Sequence, residues 1–198
     1  KTVVRDHRTA IAIAVLLTWL LTAAIVVVTL MTPTLIQKQF GISAATALQA
    51  SSISTLCLTI GCTVFGALID RVGSGVTFVL GSLALMGSSL WFYFGLATSP
   101  ELLFVSYALT GFCVGVVGAV PYVIVASFPA AIRYSGLSSS YNIAYAIFGG
   151  LTPVLVTLAM RHTPLAPAYY VAAVCGIGVL VGVYLLRNGR ALNLLDRS

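Results

Sequence analysis

The residues best suited to bind a small polar molecule lie in one apolar stretch towards the C-terminus. Tyr141, Asn142 and Tyr145 are followed there by Gly149 and Thr152. Because residues three and four positions apart share one face of an α-helix, this spacing presents an amide and two phenols together. Such a face can hydrogen-bond a polar ligand, and its rings can stack against a cationic group. A role for Asn142 as a hydrogen-bonding bridge between helices is the alternative.

Three other stretches contain further candidates for binding a polar ligand. Trp19 lies near the middle of the first apolar run, where its ring either packs against a neighbour or borders a cavity. Hydroxyls recur at helical spacing on the first and second runs, and a tyrosine follows a glycine-rich face on the fourth; these residues are Thr18, Thr22, Thr29, Thr32, Ser52, Thr59, Thr63 and Tyr122. The candidate binding residues are therefore Trp19, Thr22, Thr29, Tyr122, Tyr141, Asn142 and Tyr145. The alternative for each hydroxyl is a bond to its own helix backbone or to an adjacent helix.

Chemistry that needs a nucleophile, a metal or a cofactor has no matching pattern in the sequence. Cys57 and Cys62 are five residues apart, which separates them by roughly 140° around a helix and prevents a shared metal face. His7 and His162 have no partner at ligand spacing. An enzyme buried in a membrane would place an acid, a base or a nucleophile inside its apolar stretches. We therefore predict no catalytic residue, no metal site, no cofactor and no enzymatic activity.

The elements that must position the candidate residues are long apolar runs. Hydrophobic residues make up 60% of the 198-residue sequence and charged residues 7%, and the mean hydropathy is +1.08. A soluble domain usually carries about 25% charged residues, so this composition excludes one. Each of six uncharged runs exceeds the roughly 20 residues that a helix needs to cross a bilayer. The runs cover about 9–35, 44–69, 76–97, 102–128, 134–160 and 166–186, and they predict an all-α integral membrane protein in contact with the lipid bilayer.

Charge placement predicts the orientation of these helices. If the N-terminus is cytoplasmic, eight basic residues lie inside and two outside; the inner ones are Lys1, Arg5, Arg8, Arg71, Arg133, Arg187, Arg190 and Arg197, and the outer ones are Lys38 and Arg161. An excess of lysine and arginine marks short cytoplasmic loops, so both termini are predicted to be cytoplasmic. The net charge of +6 then reflects topology and anionic lipid headgroups, and nucleic-acid binding is not expected. Tyr169 and Tyr170, at the outer start of the sixth run, match an interfacial aromatic belt.

A first short motif stands between the second and third runs. Gly66, Asp70, Arg71 and Gly73 follow the spacing Gly-x-x-x-Asp-Arg-x-Gly, and Gly73 and Gly75 would allow a tight reversal of the chain. A charged turn between helices is one interpretation. The spacing also resembles the loop motif of the major facilitator superfamily of secondary transporters. That resemblance implies that Asp70 would lie against the positive N-terminal end of a helix in a partner half and brace one conformation.

A second motif joins the fourth and fifth runs. Phe128 and Pro129 are followed by Arg133 and Gly136, a pattern that resembles the segment after helix ten in metabolite:proton symporters and sugar porters. The stretch SYNIAYAIFGGLTP, residues 140–153, is similar to helix eleven of the metabolite:proton symporter family. That family contains proline/betaine, citrate, α-ketoglutarate and shikimate carriers.

The resemblance implies that these helices are the C-terminal half of a twelve-helix fold made of two inverted three-helix repeats per half. Ser74 and Gly75 stand where the first-half copy of the loop motif has basic residues, which favours the copy after the eighth helix. Pro33 and Pro121 fall at matching places in the first and fourth runs, as an inverted pair predicts. The implied domains are the end of a central cytoplasmic loop at 1–8, the membrane domain at 9–187 and a cytoplasmic tail at 188–198.

The implied activity is secondary transport of a small polar metabolite, either an osmolyte or an organic acid, across a bacterial inner membrane by proton-coupled alternating access. The partner would be the N-terminal six-helix half of the same transporter. That half would supply the coupling acid, because none of the four acidic residues of this chain lies within an apolar run. The alternative is a non-transporting or half-size membrane subunit that acts by pairing with another six-helix chain.

Overall fold

A computed structural model describes residues 8–129 and 132–188, which form six membrane-length helices and no strand. We number the helices α1 to α6; they span Arg8–Phe40, Ala44–Val72, Ser74–Thr98, Pro100–Ala126, Arg133–Ala159 and Ala166–Asn188. All are apolar enough to cross a bilayer, so the predicted all-α membrane fold is confirmed. The predicted tails at 1–8 and 188–198 lie almost wholly outside the described residues, as do Lys1, Arg5, Arg190 and Arg197.

The connections alternate the direction of successive helices. Arg8, Arg71, Arg133 and Arg187 therefore lie at one end of the bundle, which we call the arginine end. Gly73 separates α2 from α3 with a φ of 84°, a conformation that favours glycine, which confirms its predicted role in the reversal. The same prediction for Gly75 is wrong. Gly75 lies inside α3, and a Cβ there would come within 2.7 Å of Cγ of Leu186, so its small size admits α6.

Two helices form the centre of the bundle, and two are largely uncovered. In the most apolar parts of α1 and α4, 67% and 61% of the residues are buried, against 22% in α2 and 17% in α5. The helices α3 and α6 pack against each other along one side. Most side chains in the apolar parts of α2 and α5 are thus not buried within the described chain.

Helix pairing follows an inverted repeat. The central helix α1 packs against α5 and α6, and the central helix α4 packs against α2 and α3. Exchanging α1, α2 and α3 for α4, α5 and α6 reproduces these contacts, as the predicted repeat requires. Both central helices also change their hydrogen-bonding pattern before the matched prolines. A π-helical segment, Ala24–Met31, precedes Pro33, and a 3₁₀ segment, Gly115–Ala119, precedes Pro121.

Glycines allow α2 and α4 to approach each other at backbone distance. A Cβ added to Gly61 would overlap the carbonyl oxygen of Phe112, and one added to Gly115 would overlap the backbone of Gly61. On the other side of the bundle, Gly178 of α6 lies directly against Ser82 of α3. Without a hydrophobic driving force between helices in lipid, such close packing is a main source of association.

Candidate functional site

The predicted amide and phenol face lies on α5, where the structure places its members side by side. The rings of Tyr141 and Tyr145 stack with centroids 5.8 Å apart and an interplanar angle of 25°. Asn142 lies next to them and is exposed; its Nδ2 donates to the Ser138 carbonyl at 2.8 Å and to Ser138 Oγ at 3.3 Å. Within the described chain, Asn142 therefore bonds its own helix and bridges to no other.

Asn142 belongs to a longer exposed strip of small and polar residues on α5. These residues recur every three or four positions and are Ser135, Ser139, Asn142, Ala146 and Gly150. Bulky apolar residues such as Ile143 and Ile147 occupy the adjoining exposed surface of the same helix. The strip of small and polar residues is therefore suited to contact with another protein helix, and the bulky apolar surface is suited to contact with lipid.

Trp19 is partly buried and packs against aromatic neighbours. Its Nε1 donates to Oη of Tyr170 at 3.0 Å, and its ring stacks on Phe148 at a centroid distance of 4.6 Å and an angle of 8°. Tyr170 Oη also shares a hydrogen bond of 2.8 Å with Oγ1 of Thr152. Of the two alternatives for Trp19, packing against a neighbour is the one observed, and the resulting network ties α1 to α5 and α6.

The network contains residues that sequence reasoning missed or misplaced. Tyr170 was expected in an interfacial belt, but it turns inward, while its neighbour Tyr169 is exposed against Phe94. Phe148 carried no signal beyond its place one turn after Tyr145. Thr152 was expected on the same helix face as Tyr141 and Tyr145. Apart from the following Pro153, nothing near it in the sequence indicated that it would bond Tyr170.

The threonines of α1 divide into two groups. Thr22 is fully buried, and its Oγ1 donates to the Thr18 carbonyl at 2.6 Å, while Thr18 donates to the Ala14 carbonyl at 2.7 Å. Both hydroxyls thus bond their own helix, which was the stated alternative to a ligand role. Thr29 lies half-buried in the π-helical segment. Tyr122 is exposed beside Pro121 at the last segment of α4.

Exposed hydroxyls form a ladder along α2. Ser52, Thr55, Thr59 and Thr63 each donate to the carbonyl four residues earlier, at distances of 2.9 to 3.2 Å. The spacing continues through Gly66 to Asp70, so the hydroxyl ladder and the first loop motif share one face. A Cβ on Gly66 would meet nothing within 4 Å, and Asp70 and Arg71 are exposed. Among the described residues, this face has no covering partner.

The second loop motif has a visible structural role. The ring of Phe128 is buried against Gly136, where a Cβ would come within 2.6 Å of it. Arg133 Nε donates to the Phe128 carbonyl at 3.3 Å, which places a cation at the carbonyl end of α4. Pro129 is exposed at the start of the turn. The motif thus closes the connection between α4 and α5.

An apolar groove of about 240 Å³ lies between α1 and α6 near the arginine end. Ile13, Leu16, Leu180 and Val181 form its walls, with Thr9 and Tyr184 at the margin. A site for a polar metabolite needs several convergent polar groups, and this groove does not provide them. The exposed faces of α2 and α5 remain the candidate binding surface.

Comparison with known proteins identifies the family. The model of the Major Facilitator Superfamily matches residues 11–195. The chain belongs to this superfamily.

Relatives of this major facilitator chain carry transporter names. A citrate-proton symporter from Klebsiella pneumoniae is 30% identical over 84% of the chain and 39% of its own length. The proline/betaine transporter of Salmonella typhimurium is 30% identical over 61% of the chain and 25% of its own length. A Staphylococcus aureus protein that is provisionally named as a proline/betaine transporter is 35% identical over 61% of the chain and 27% of its own length. No solved structure matches the chain.

These matches place the chain among metabolite:proton symporter-like members of the superfamily. The chain spans about a quarter to two fifths of the length of the curated relatives it matches. Six membrane-capable helices together with superfamily membership make it a multi-pass integral membrane protein. The uncovered faces of α2 and α5 are therefore faces of a membrane-embedded bundle.

Proposed function

We propose that this chain is the C-terminal six-helix half of a secondary transporter that moves a small polar metabolite across a bacterial inner membrane by proton-coupled alternating access. The observation that carries the proposal is the exposure of polar groups on α2 and α5, the two least buried helices. The exposed ladder hydroxyls of α2 donate to carbonyls of their own helix. Asn142 still has an amide oxygen that meets no donor in the described chain, and such a group is costly to leave in lipid.

A partner half would cover these faces. Placed against α2 and α5, the N-terminal six helices of the same transporter would enclose a pathway between the two halves. Gly66 has open space beside it, and Asp70 lies one turn further along the same face. A helix N-terminus of the partner half could therefore approach Asp70 closely and stabilise its carboxylate. Pairing with a separate six-helix chain would use the same faces, and the mass of the intact protein distinguishes the two arrangements.

A zwitterionic osmolyte is the proposed substrate class. The stacked rings of Tyr141 and Tyr145 could contact a quaternary ammonium group, and the Asn142 amide could hydrogen-bond a carboxylate. The names of two relatives support this class. A small organic acid is the second candidate, because the citrate-proton symporter matches the larger share of the chain.

Proton coupling requires an acid that this half does not place inside its apolar runs. Asp70 lies at the end of α2 and Glu101 at the start of α4, while Asp6 and Asp196 belong to the terminal segments. We propose that the N-terminal half holds the coupling acid and that the arginine end faces the cytoplasm, with both termini on that side. Water, lipid and the partner half would then surround this chain, with no metal or cofactor needed.

Uptake by the intact protein tests the proposal. Proteoliposomes with an inward proton gradient are assayed with radiolabelled glycine betaine, proline and citrate, and uptake should collapse when an ionophore dissipates the gradient. Loss of one hydrogen bond to a polar substrate raises KM by about tenfold, which we expect for Asn142→Ala. Asn188→Ala, at the exposed end of α6, is the matched control and should transport normally.

Two results would count against the proposal. Uptake that ignores the gradient, or no uptake of any of the three substrates, contradicts proton-coupled transport of this substrate class. A normal KM and a normal maximal rate in Asn142→Ala would contradict only the assignment of the binding surface to α5, and not the transport function.

A further inference from the structure

The π-helical segment of α1 contains a backbone carbonyl that its own helix does not satisfy. In a π-helix the N–H groups donate five residues back, and here the N–H of Thr32 bonds the carbonyl of Val27. The next donor in this pattern would serve Val28, but it belongs to Pro33, which has no N–H. The Val28 carbonyl lies in the buried centre of a membrane-spanning bundle, where an unpaired carbonyl is costly.

A tyrosine from α4 supplies the missing donor. Tyr107 Oη donates to the Val28 carbonyl at 2.7 Å, and Tyr107 is fully buried. The Tyr107 ring stacks on Phe92 of α3 with centroids 4.8 Å apart, which fixes the direction of the hydroxyl. The hydrogen bond therefore joins the two central helices at the irregular segment of α1.

A second buried phenol contacts the same segment without touching its backbone. Tyr93 Oη shares a hydrogen bond of 2.7 Å with Oγ1 of Thr32, and Thr32 Oγ1 donates to the Val27 carbonyl at 2.8 Å. Because Thr32 uses its proton on Val27, Tyr93 is the donor in this pair. Tyr93 thus provides a comparison for Tyr107, with the same group and similar burial but a side-chain acceptor.

We propose that Tyr107 is a positioning residue that holds α1 in its π-helical form, and that release of its bond to Val28 lets this segment return to α-helical hydrogen bonding during transport. The proposal rests on the transport function proposed above. Returning this segment to α-helical hydrogen bonding shifts the register by one residue, which rotates the chain beyond Met31 by roughly 100° about the helix axis relative to the chain before it. Thr29 and the segment Thr32–Phe40 would then present different side chains to the pathway.

Cysteine labelling in the intact protein in native membranes tests this positioning role without requiring transport. A Thr29→Cys reporter is introduced after alanine replaces the native thiols of Cys57, Cys62, Cys113 and Cys175. Tyr107→Phe removes only the hydroxyl and should change the maleimide labelling rate by about tenfold, because a buried carbonyl loses its donor. Tyr93→Phe should change the rate by less than about twofold, since it leaves the backbone bond in place.

Pro33→Ala provides a rescue that a purely structural role of Tyr107 does not predict. Alanine restores an N–H at position 33 that can donate to the Val28 carbonyl, so adding it to Tyr107→Phe should return the labelling rate to that of the parent. In uptake assays, Tyr107→Phe should lower the maximal rate severalfold and leave KM unchanged, and the rescue should restore the rate.

Three outcomes overturn the proposal. One is a labelling rate in Tyr107→Phe equal to that of the parent. Another is an equal change in labelling rate in Tyr107→Phe and Tyr93→Phe that Pro33→Ala does not reverse. That result would indicate that both tyrosines act only by packing. The third is a Tyr107→Phe protein that fails to accumulate in membranes and is not recovered by Pro33→Ala. Absence of uptake by the unmodified protein would contradict the transport function, while the labelling experiment would still decide the role of Tyr107.

Discussion

The central helices and the uncovered helices satisfy their backbones in different ways. α1 and α4 contain π-helical and 3₁₀ segments, and at Val28 a side chain from another helix completes the hydrogen bonding. The uncovered α2 and α5 are continuous α-helices; the ladder hydroxyls of α2 bond their own turns, and on α5 the amide N–H of Asn142 does the same. Irregular backbone in a membrane is tolerated only where protein surrounds it. The exposed face of α2 is instead lined by hydroxyls whose protons are satisfied within the helix.

The largest expected effect compares a glycine in the close contact between α2 and α4 with a glycine that has open space beside it. Gly115→Leu would push a side chain into the backbone of Gly61 and Cys62, so we expect the protein to aggregate when extracted. Gly87→Leu makes the same change at an exposed position of α3, where no described atom lies within 4 Å, and should leave a monodisperse protein. Size-exclusion chromatography in detergent measures both. Aggregation of Gly87→Leu to the same degree would mean that the close contact at Gly115 is not the cause.

A smaller effect is expected where a central helix is tied to an uncovered one. Trp19→Ala removes the stack on Phe148 and the hydrogen bond to Tyr170, and should lower the free energy of unfolding by about 2 kcal/mol. Trp91→Ala is the control, since Trp91 is exposed near the far end of α3. Thermal unfolding of the purified protein should show a clear loss for the first variant only. An equal loss of stability in Trp19→Ala and Trp91→Ala would mean that the contacts of Trp19 with Phe148 and Tyr170 add nothing to the effect of removing an indole ring.

The smallest effect compares one hydroxyl on each kind of helix. Thr110 is fully buried on α4, and its Oγ1 donates to the carbonyls of Ser106 and Ser88, the latter on α3. Thr110→Val should therefore cost about 1 kcal/mol of stability, whereas Thr59→Val on the exposed ladder should cost less than about 0.5 kcal/mol. Denaturant titration in mixed micelles resolves such a difference. A loss at Thr59 as large as that at Thr110 would contradict the expectation that a hydroxyl bonded only to its own turn adds little stability.

Local features of the sequence predicted the helices, the reversal at Gly73 and the matched breaks near Pro33 and Pro121. Each depends on properties of consecutive residues: apolar length, glycine conformation and the missing proline N–H. The predicted face of Tyr141, Asn142 and Tyr145 also followed from helical spacing alone. Whether those residues bind a substrate stays a prediction.

Features that depend on contacts between residues far apart in the sequence could not be predicted. Nothing near Trp19 in the sequence indicates that Tyr170, 151 residues away, would accept its N–H. The π-helical form of α1 depends in the same way on Tyr107, which lies 79 residues beyond Val28. Gly75 was misinterpreted because a glycine near a turn has the same local signature as a glycine that admits a distant helix.

The hydroxyl ladder of α2 has a consequence for the work of sliding two protein surfaces past each other. Each of its protons is already held by the carbonyl one turn back, so an opposing surface finds only lone pairs and methyl groups there. If the proposed partner half packs against this ladder, their relative motion would break few directional bonds, and the resistance to sliding would stay low at every intermediate position.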